Sequence, residues 1–262
     1  MVGCVDVQDA FMLFGDSITQ GAWDIGLNGI GQRLNRESLL CGIPPVYIHL
    51  CRCVCTKARC PESRVFGLQH GMEYSSIKTS AFRSNKKCIK RWWLIVLQLI
   101  TTSPTSQRIR ILTIWFGAND ACIPPSPQHV PLPKFILNLK QMISLAKSSD
   151  STSPHNSHET HILLISPPPV NTIDRAADLT VRDPPLQLDR EFEVTKRYAQ
   201  AVEQVAKEEG VAFVDIWSRI WDAAGHEEAN LKKFLRDGLH LNAEGYAVSV
   251  FLSTSIMIAK VI

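Results

Sequence analysis

The chain has 262 residues, enough for an α/β domain with a sizeable core, and we expect one domain over 1–262. A charged fraction of 20% and a hydrophobic fraction of 45% are typical of a globular protein and argue against wholesale disorder. The formal net charge of +3 is too small to indicate a nucleic-acid partner, and the basic residues do not share one periodic face.

The ends of the chain carry no targeting or membrane pattern. Residues 1–14 include two aspartates and lack the basic stretch that opens a secretory signal. The longest apolar runs, 92–100 and 250–262, are too short and too interrupted for membrane spans. The sequence therefore predicts a cytoplasmic protein without stable membrane insertion, and it leaves the oligomeric state open.

Apolar runs that stop at glycine or proline alternate with helical periodicity along most of the chain. The predicted strands are 10–14, 110–116, 161–165 and 211–214. One predicted helix follows Pro133, one has Asp189 as its N-cap and ends at Gly210, and a last one begins near Ala243. This alternation indicates a parallel sheet covered by helices on both faces.

Residues 35–106 do not follow this pattern. Cysteines and basic residues accumulate there, and neither a helical nor a strand period persists. One hypothesis is that this part of the chain is translated intron or out-of-frame sequence, and sequencing the transcript across it would test that. We therefore expect the register and order of 35–106 to be atypical for the domain.

Three short polar blocks lie where predicted elements begin or end. They read Gly-Asp-Ser-Ile at 15–18, Gly-Ala-Asn-Asp at 117–120 and Asp-Gly-Leu-His at 237–240. The first two follow strands, and ligands of open parallel sheets bind outside the carboxyl ends of the strands. One pocket is therefore expected to hold the first two blocks, with the third folded over it.

The residue types in these blocks suit nucleophilic catalysis. The Ser17 hydroxyl needs a base to take its proton, and His240 is the side chain suited to that work near neutral pH. Asp237, three residues earlier, can orient the imidazole, while Asn119 and the backbone N–H of Ser17 can donate to an oxyanion. The order serine, aspartate, histidine is that of α/β-hydrolases, although their G-x-S-x-G elbow is absent.

These blocks resemble three of the four signature blocks of the SGNH, or GDSL, hydrolase superfamily. The surrounding segments 14–32, 110–133 and 183–246 look like its isoamyl acetate-hydrolysing esterase branch. The resemblance implies a flavodoxin-like three-layer α/β/α sandwich and substrates that are small esters, such as acetates of short alcohols, linking the protein to lipid metabolism. It also implies that no metal or organic cofactor is used. The roles it implies are nucleophile for Ser17, base for His240, partner of the base for Asp237 and oxyanion donor for Asn119.

The fourth signature block of this superfamily is the place where the sequence departs from the pattern. It supplies a glycine whose backbone N–H is a further oxyanion donor, and no complete version occurs within 35–106. Gly67 is the nearest substitute. Two alternatives to an active hydrolase stay open: a relative impaired by the missing donor, and an acyltransferase that uses the same acyl-enzyme.

Other interpretations of the marked residues need no catalysis. Ser17 can be a helix N-cap, Asn119 and Asp120 a turn-forming pair, and Asp237 a capping residue. Four cysteines within ten residues can bind zinc or copper through thiolates, although their spacing is not that of paired zinc motifs. These are Cys51, Cys53, Cys55 and Cys60.

Overall fold

The computed structural model describes residues 9–22, 24–27, 47–51, 66–69, 72–73, 108–150 and 160–249. Within these segments, side chains are described for 13–22, 24, 26–27, 111–147 and 160–249. All structural statements below refer to these residues.

The described segments form a seven-stranded sheet in the order β4-β3-β2-β1-β5-β6-β7. The strands are β1 (Asp9–Gly15), β2 (Tyr47–Cys51), β3 (Phe66–Gln69), β4 (Met72–Glu73), β5 (Arg108–Trp115), β6 (His161–Ile165) and β7 (Ala212–Val214). Strands β2, β1, β5, β6 and β7 pair in parallel. Numbered among themselves, these five have the order 2-1-3-4-5 of flavodoxin-like folds, so the predicted parallel arrangement is confirmed.

The region 35–106 contributes more regular structure than its sequence indicates. It supplies β2, which pairs with β1, and the antiparallel strands β3 and β4, which extend the sheet beyond β2. These three strands are regular parts of the sheet, and the expectation of atypical register and order in 35–106 stays a prediction. The rest of 35–106 lies outside the described residues, and the intron hypothesis stays a prediction.

Within the described segments, helices follow β1, β5, β6 and β7, and those after Pro133, before Gly210 and near Ala243 lie where the periodicity predicts them. The described α-helices are Ser17–Gly21, Leu132–Asp150, Thr172–Thr180, Phe192–Glu209, Ile216–Ala223 and 243–249, with 3-10 turns at Ile25–Leu27 and Glu228–Lys233. Gly210 ends the helix Phe192–Glu209 in a left-handed conformation with φ of 65°, as predicted. The predicted N-cap is wrong, because Glu191 occupies that position and Asp189 forms ion pairs with Arg175 and Arg190 instead.

Two clusters of buried residues form the core, one on each face of the sheet. Successive side chains of a strand point to opposite faces, so Leu163 joins the first core cluster and Leu164 the second. The first core cluster packs against Ser17–Gly21, Ile216–Ala223 and 243–249. The second packs against Leu132–Asp150 and Phe192–Glu209, which gives the three layers of an α/β/α sandwich.

None of the helices in the described segments is long and apolar enough to cross a bilayer.

Candidate active site

The turn after β1 places Ser17 at the edge of the sheet. Asp16 is the N-cap of the helix Ser17–Gly21, and its Oδ1 accepts a hydrogen bond of 3.0 Å from the backbone N–H of Ile18. A methyl group on Gly15 would lie 2.5 Å from the carbonyl oxygen of Trp115 in β5, so this turn has no room for a larger residue. The N-cap interpretation of Ser17 is therefore wrong, since its neighbour Asp16 takes that role.

A short loop brings His240 to the serine. The loop is closed by a bridge between Leu235 and Leu241 and by a hydrogen bond of 2.9 Å from the N–H of Arg236 to the carbonyl of His240. Gly238 has φ of 74°, a conformation that favours glycine, and its carbonyl accepts a bond of 2.9 Å from the N–H of Asn171. The loop is thereby attached to the N-terminal end of the helix Thr172–Thr180.

Ser17, His240 and Asp237 form one hydrogen-bonded chain. The Ser17 Oγ lies 3.0 Å from Nε2 of His240, and Nδ1 of the same ring lies 2.6 Å from Oδ2 of Asp237. Asp237 Oδ1 accepts from the backbone N–H groups of Leu239 and His240, at 3.1 and 2.7 Å. Asp237 thus caps the loop and orients the ring at the same time.

The electrostatics of Asp237 favour one tautomer of His240. Burial raises the pKa of the Asp237 carboxyl, but hydrogen bonds from the His240 ring and from backbone N–H groups outweigh it and hold the pKa well below its usual range. The ionised carboxylate accepts only, so Nδ1 of the ring carries a proton. In the neutral ring, Nε2 is then the acceptor that faces the Ser17 hydroxyl.

Asn119 lies in the turn that follows β5, at the same edge of the sheet. Its Nδ2 donates to Oδ2 of Asp16 at 3.4 Å, and its Oδ1 accepts from Nη2 of Arg190 at 2.9 Å. Residues 118–121 form a turn, as the non-catalytic interpretation of this pair predicts. The same turn directs the Asn119 amide towards the segment that carries Ser17.

Two carboxyl groups are buried beside the serine. Asp16 is 2% exposed and Asp120 is 3% exposed. Burial and the nearby charge of Asp120 raise the pKa of Asp16 to about 6, against the lowering effects of the Ile18 hydrogen bond, His240 and Arg190. The site therefore contains an acid that titrates well above the usual range of an aspartate.

Gly67 does not join this group. It lies within β3 opposite Ile48 of β2, and Ile48 is paired with Met12 of β1. This register puts Gly67 about 10 Å along the strands and about 10 Å across them from Gly15, which precedes the serine turn. The placement gives no support to the prediction that Gly67 donates to the oxyanion.

The described residues contain no group of three histidine, cysteine or carboxylate side chains able to hold a metal ion. The predicted cysteine cluster is not tested by this, because the backbone of Cys51 alone is described and Cys53, Cys55 and Cys60 lie outside the described residues.

Sequence patterns indicated Ser17, Asn119, Asp237 and His240 but missed Asp16 and Arg190. Asp16 belongs to the same block as Ser17, and this position was a signal for it. Nucleophilic catalysis by a serine does not by itself require a carboxylate next to it in the chain. Arg190 lies in no recognisable sequence motif. It follows Asp189, which the sequence predicts as the N-cap of a helix.

Comparison with known proteins places this geometry in a family. The sequence profile of the GDSL-like lipase/acylhydrolase family matches residues 56–248, about three quarters of the chain. The chain belongs to this GDSL-like family. The matched range includes Asn119, Asp237 and His240, and Ser17 precedes it.

Individual relatives agree with the GDSL assignment. The isoamyl acetate-hydrolyzing esterase 1 homolog of Homo sapiens is 31% identical over 158 residues, which are 59% of this chain and 58% of that protein. The isoamyl acetate-hydrolyzing esterase of Saccharomyces cerevisiae is 32% identical over 178 residues, 67% of each chain. The chain thus spans less than two thirds of the length of the human relative.

Solved structures of other proteins share the fold. A member of the lipolytic protein G-D-S-L family from Veillonella parvula matches with a TM-score of 0.56 at 12% identity, covering 95% of this chain and 97% of the other. A variant of Axe2, an acetyl-xylooligosaccharide esterase of Geobacillus, matches with a TM-score of 0.57 at 13% identity, covering 97% and 96%. The predicted SGNH hydrolase fold is confirmed.

Proposed function

We propose that the protein is a serine ester hydrolase that acts on small acyl esters through Ser17, His240 and Asp237. The observation that carries this proposal is the chain of hydrogen bonds from the Ser17 Oγ through the His240 ring to the Asp237 carboxylate. Membership of the GDSL-like lipase/acylhydrolase family supports ester hydrolysis as the class of reaction.

The first half of the reaction makes an acyl-enzyme. Ser17 Oγ forms a bond to the acyl carbon of the ester while its proton passes to Nε2 of His240. The tetrahedral intermediate then breaks its bond to the alcohol oxygen, and the alcohol leaves with the proton from His240. Asp237 stays ionised throughout and stabilises the imidazolium that forms in between.

The second half releases the acid. Water gives a proton to His240 and its oxygen bonds to the acyl carbon, after which the bond to Ser17 breaks and the serine regains the proton. In both halves negative charge develops on the former carbonyl oxygen. Asn119 Nδ2 and the backbone N–H of Ser17 are the donors we assign to that charge.

The names of the relatives support short acyl groups and small alcohols as the substrate class. The human and yeast relatives are described as hydrolyzing isoamyl acetate, an ester of a two-carbon acid and a branched five-carbon alcohol. Acetate-type esters are therefore the first substrates to offer this protein.

The decisive experiment combines turnover with covalent labelling. The protein is expected to hydrolyse p-nitrophenyl acetate and to react with an organophosphonate at Ser17, because the serine is activated by His240. Ser17→Ala is expected to lose both activities while unfolding at an unchanged temperature. A folded wild-type protein that neither turns over the ester nor takes up the label contradicts the proposal.

A further inference from the structure

We propose that Arg190 is a positioning residue, which holds the Asn119 amide so that its N–H groups, and not its oxygen, face the oxyanion. The inference rests on the proposed function and deepens it. It concerns a residue that lies 173 positions from the nucleophile in the chain and belongs to none of the sequence blocks.

The guanidinium of Arg190 is buried and almost fully hydrogen-bonded. The residue is 1% exposed. Its Nε donates to the carbonyl of Ala118 at 2.8 Å, and its Nη2 donates to Oδ1 of Asn119 at 2.9 Å and to Oε1 of Gln128 at 3.1 Å. Its Nη1 donates to Oδ2 of Asp189 at 2.5 Å. One rigid, planar group therefore holds the backbone before Asn119 and the side chain of Asn119 together.

This contact decides which way the amide points. Arginine has donors and no acceptor, so the Asn119 atom that faces Nη2 is the amide oxygen. A 180° rotation would put two donor groups against each other and would turn Oδ1 towards the developing negative charge. Nδ2 has two N–H groups, and its bond to Asp16 Oδ2 uses one of them.

The charge of Arg190 also acts through the amide. A hydrogen bond from a cation to Oδ1 polarises the amide and strengthens its N–H groups as donors, since bonds in series reinforce one another. The carbonyl oxygen of the ester gains its charge only in the tetrahedral state. Arg190 is therefore expected to affect the chemical step more than the binding of the ester.

The segment that carries Arg190 is fixed to the Asn119 loop and is electrically balanced. The carbonyl of Asp189 accepts from the N–H of Ile123 at 2.8 Å, and this joins residues 189–190 to the loop after β5. The carboxylate of Asp189 lies between two arginines, with Nε of Arg175 at 3.0 Å on the other side. A buried cation paired in this way can stay in place without an uncompensated charge.

The test is a double-mutant cycle between Arg190→Gln and Asn119→Ala with p-nitrophenyl acetate. Rates are divided by the concentration of sites titrated with the phosphonate, so that misfolded protein does not count. In the wild-type background Arg190→Gln is expected to lower kcat about 10- to 100-fold, somewhat less than the loss of a whole oxyanion donor. KM is expected to change less than about 3-fold.

In the Asn119→Ala background the same change is expected to lower kcat less than about 2-fold, because the amide that Arg190 holds is gone. Arg190→Lys keeps the charge but not the planar fork, and the same pattern with a smaller loss is expected. Arg182→Gln makes the same substitution at an exposed arginine that pairs with Asp178. It is the matched control and is expected to leave kcat unchanged.

The outcomes separate the two proposals. The wild type is first shown to turn over the ester and to take up the label. If Arg190→Gln or Arg190→Lys then lowers kcat by the same factor with and without Asn119, the positioning role alone is overturned, since such additivity indicates a general structural effect. A folded wild type without turnover or label overturns the hydrolase and the positioning role together.

Discussion

Asp16 shows how one residue beside the proposed nucleophile serves both the turn and the candidate site. One oxygen caps the helix Ser17–Gly21 and the other accepts from the Asn119 amide. Both tasks use a carboxylate as acceptor, yet the side chain is only 2% exposed and burial disfavours its charged form. The turn that presents Ser17 therefore carries a stability cost that depends on pH.

The sign of this cost gives a prediction. An unfolded Asp16 ionises near its ordinary pKa of 3.8, whereas the folded one keeps its proton up to about 6. Between these values the folded state binds more protons, so this group lowers the free energy of unfolding as pH rises through that window. Asp16→Asn removes the titration. Its stability relative to wild type is expected to increase by about 2 kcal/mol from pH 4 to pH 7.

Urea unfolding of both proteins at several pH values measures this difference. At pH 4 the folded forms of both proteins carry a neutral side chain at this position, which makes pH 4 the reference point of the series. A difference in unfolding free energy that stays constant between pH 4 and pH 7 contradicts the assignment of the raised pKa to Asp16.

At the scale of elements, the loop that carries His240, the proposed base, depends on the N-terminal end of one helix. Gly238 lies so close to the N-terminal turn of Thr172–Thr180 that a methyl group there would meet the carbonyl oxygen of Asn171 at 2.6 Å, as well as the backbone nitrogen of Arg175. Because Asp237 and His240 flank this glycine, a shift of the loop moves both of them relative to Ser17.

Gly238→Ala is therefore expected to reduce activity as well as stability. Gly210→Ala is the matched control, since Gly210 has a similar φ of 65° but no atom within 4 Å of an added methyl group. Both changes are expected to cost about 1–2 kcal/mol for the left-handed conformation. Only Gly238→Ala is expected to lower kcat, by about 10-fold or more, as small displacements of catalytic groups do. Equal kcat values for the two variants contradict this account.

The elements that sequence could predict are those determined by local pattern. Apolar runs at 10–14, 110–116 and 161–165 mark β1, β5 and β6 to within two residues, because central parallel strands are buried on both faces. The strand β2 was missed. Its five residues include His49 and end at Cys51, and the partner that makes them a strand is β1, more than thirty residues earlier.

The same limit applies to the site. The blocks around Ser17, Asn119 and His240 carry their chemistry in adjacent residues and were predicted from it. Asp189 was misassigned because aspartate near a helix start usually caps it, whereas here the ion pair with Arg175, fourteen residues away, prevails. Arg190 contacts Asn119 across 71 residues, and no local pattern encodes that contact.

At the scale of the whole molecule, the two core clusters share the central strands. Leu163 and Leu164 are neighbours in β6, and they are 3% and 0% exposed on opposite faces. Loss of side-chain volume on either face therefore weakens the same strand. One domain over 1–262 stays a prediction, which a folding experiment can test.

Leu163→Ala and Leu164→Ala are each expected to lower the free energy of unfolding by about 2–5 kcal/mol. Each variant is expected to unfold in one cooperative transition, shifted to lower denaturant concentration. Far-UV circular dichroism and tryptophan fluorescence are expected to give the same midpoint for it. Leu137→Ala, at a leucine that is 48% exposed, is the control and is expected to cost less than about 1 kcal/mol. Two separate transitions, with each variant shifting only one, contradict a shared core.

The hydrogen bond from Tyr246 Oη to the carbonyl of Ile18, 2.6 Å long and buried, joins the two ends of the described chain. Tyr246 also packs in the first core cluster beside Ile18. A ribosome adds about 5–20 residues per second, so the serine emerges on the order of ten to forty seconds before its histidine and this tyrosine. A growing polypeptide therefore holds Ser17 without its hydrogen-bond partner, and the contacts with His240 and Tyr246 form only after residues 240–246 have been made.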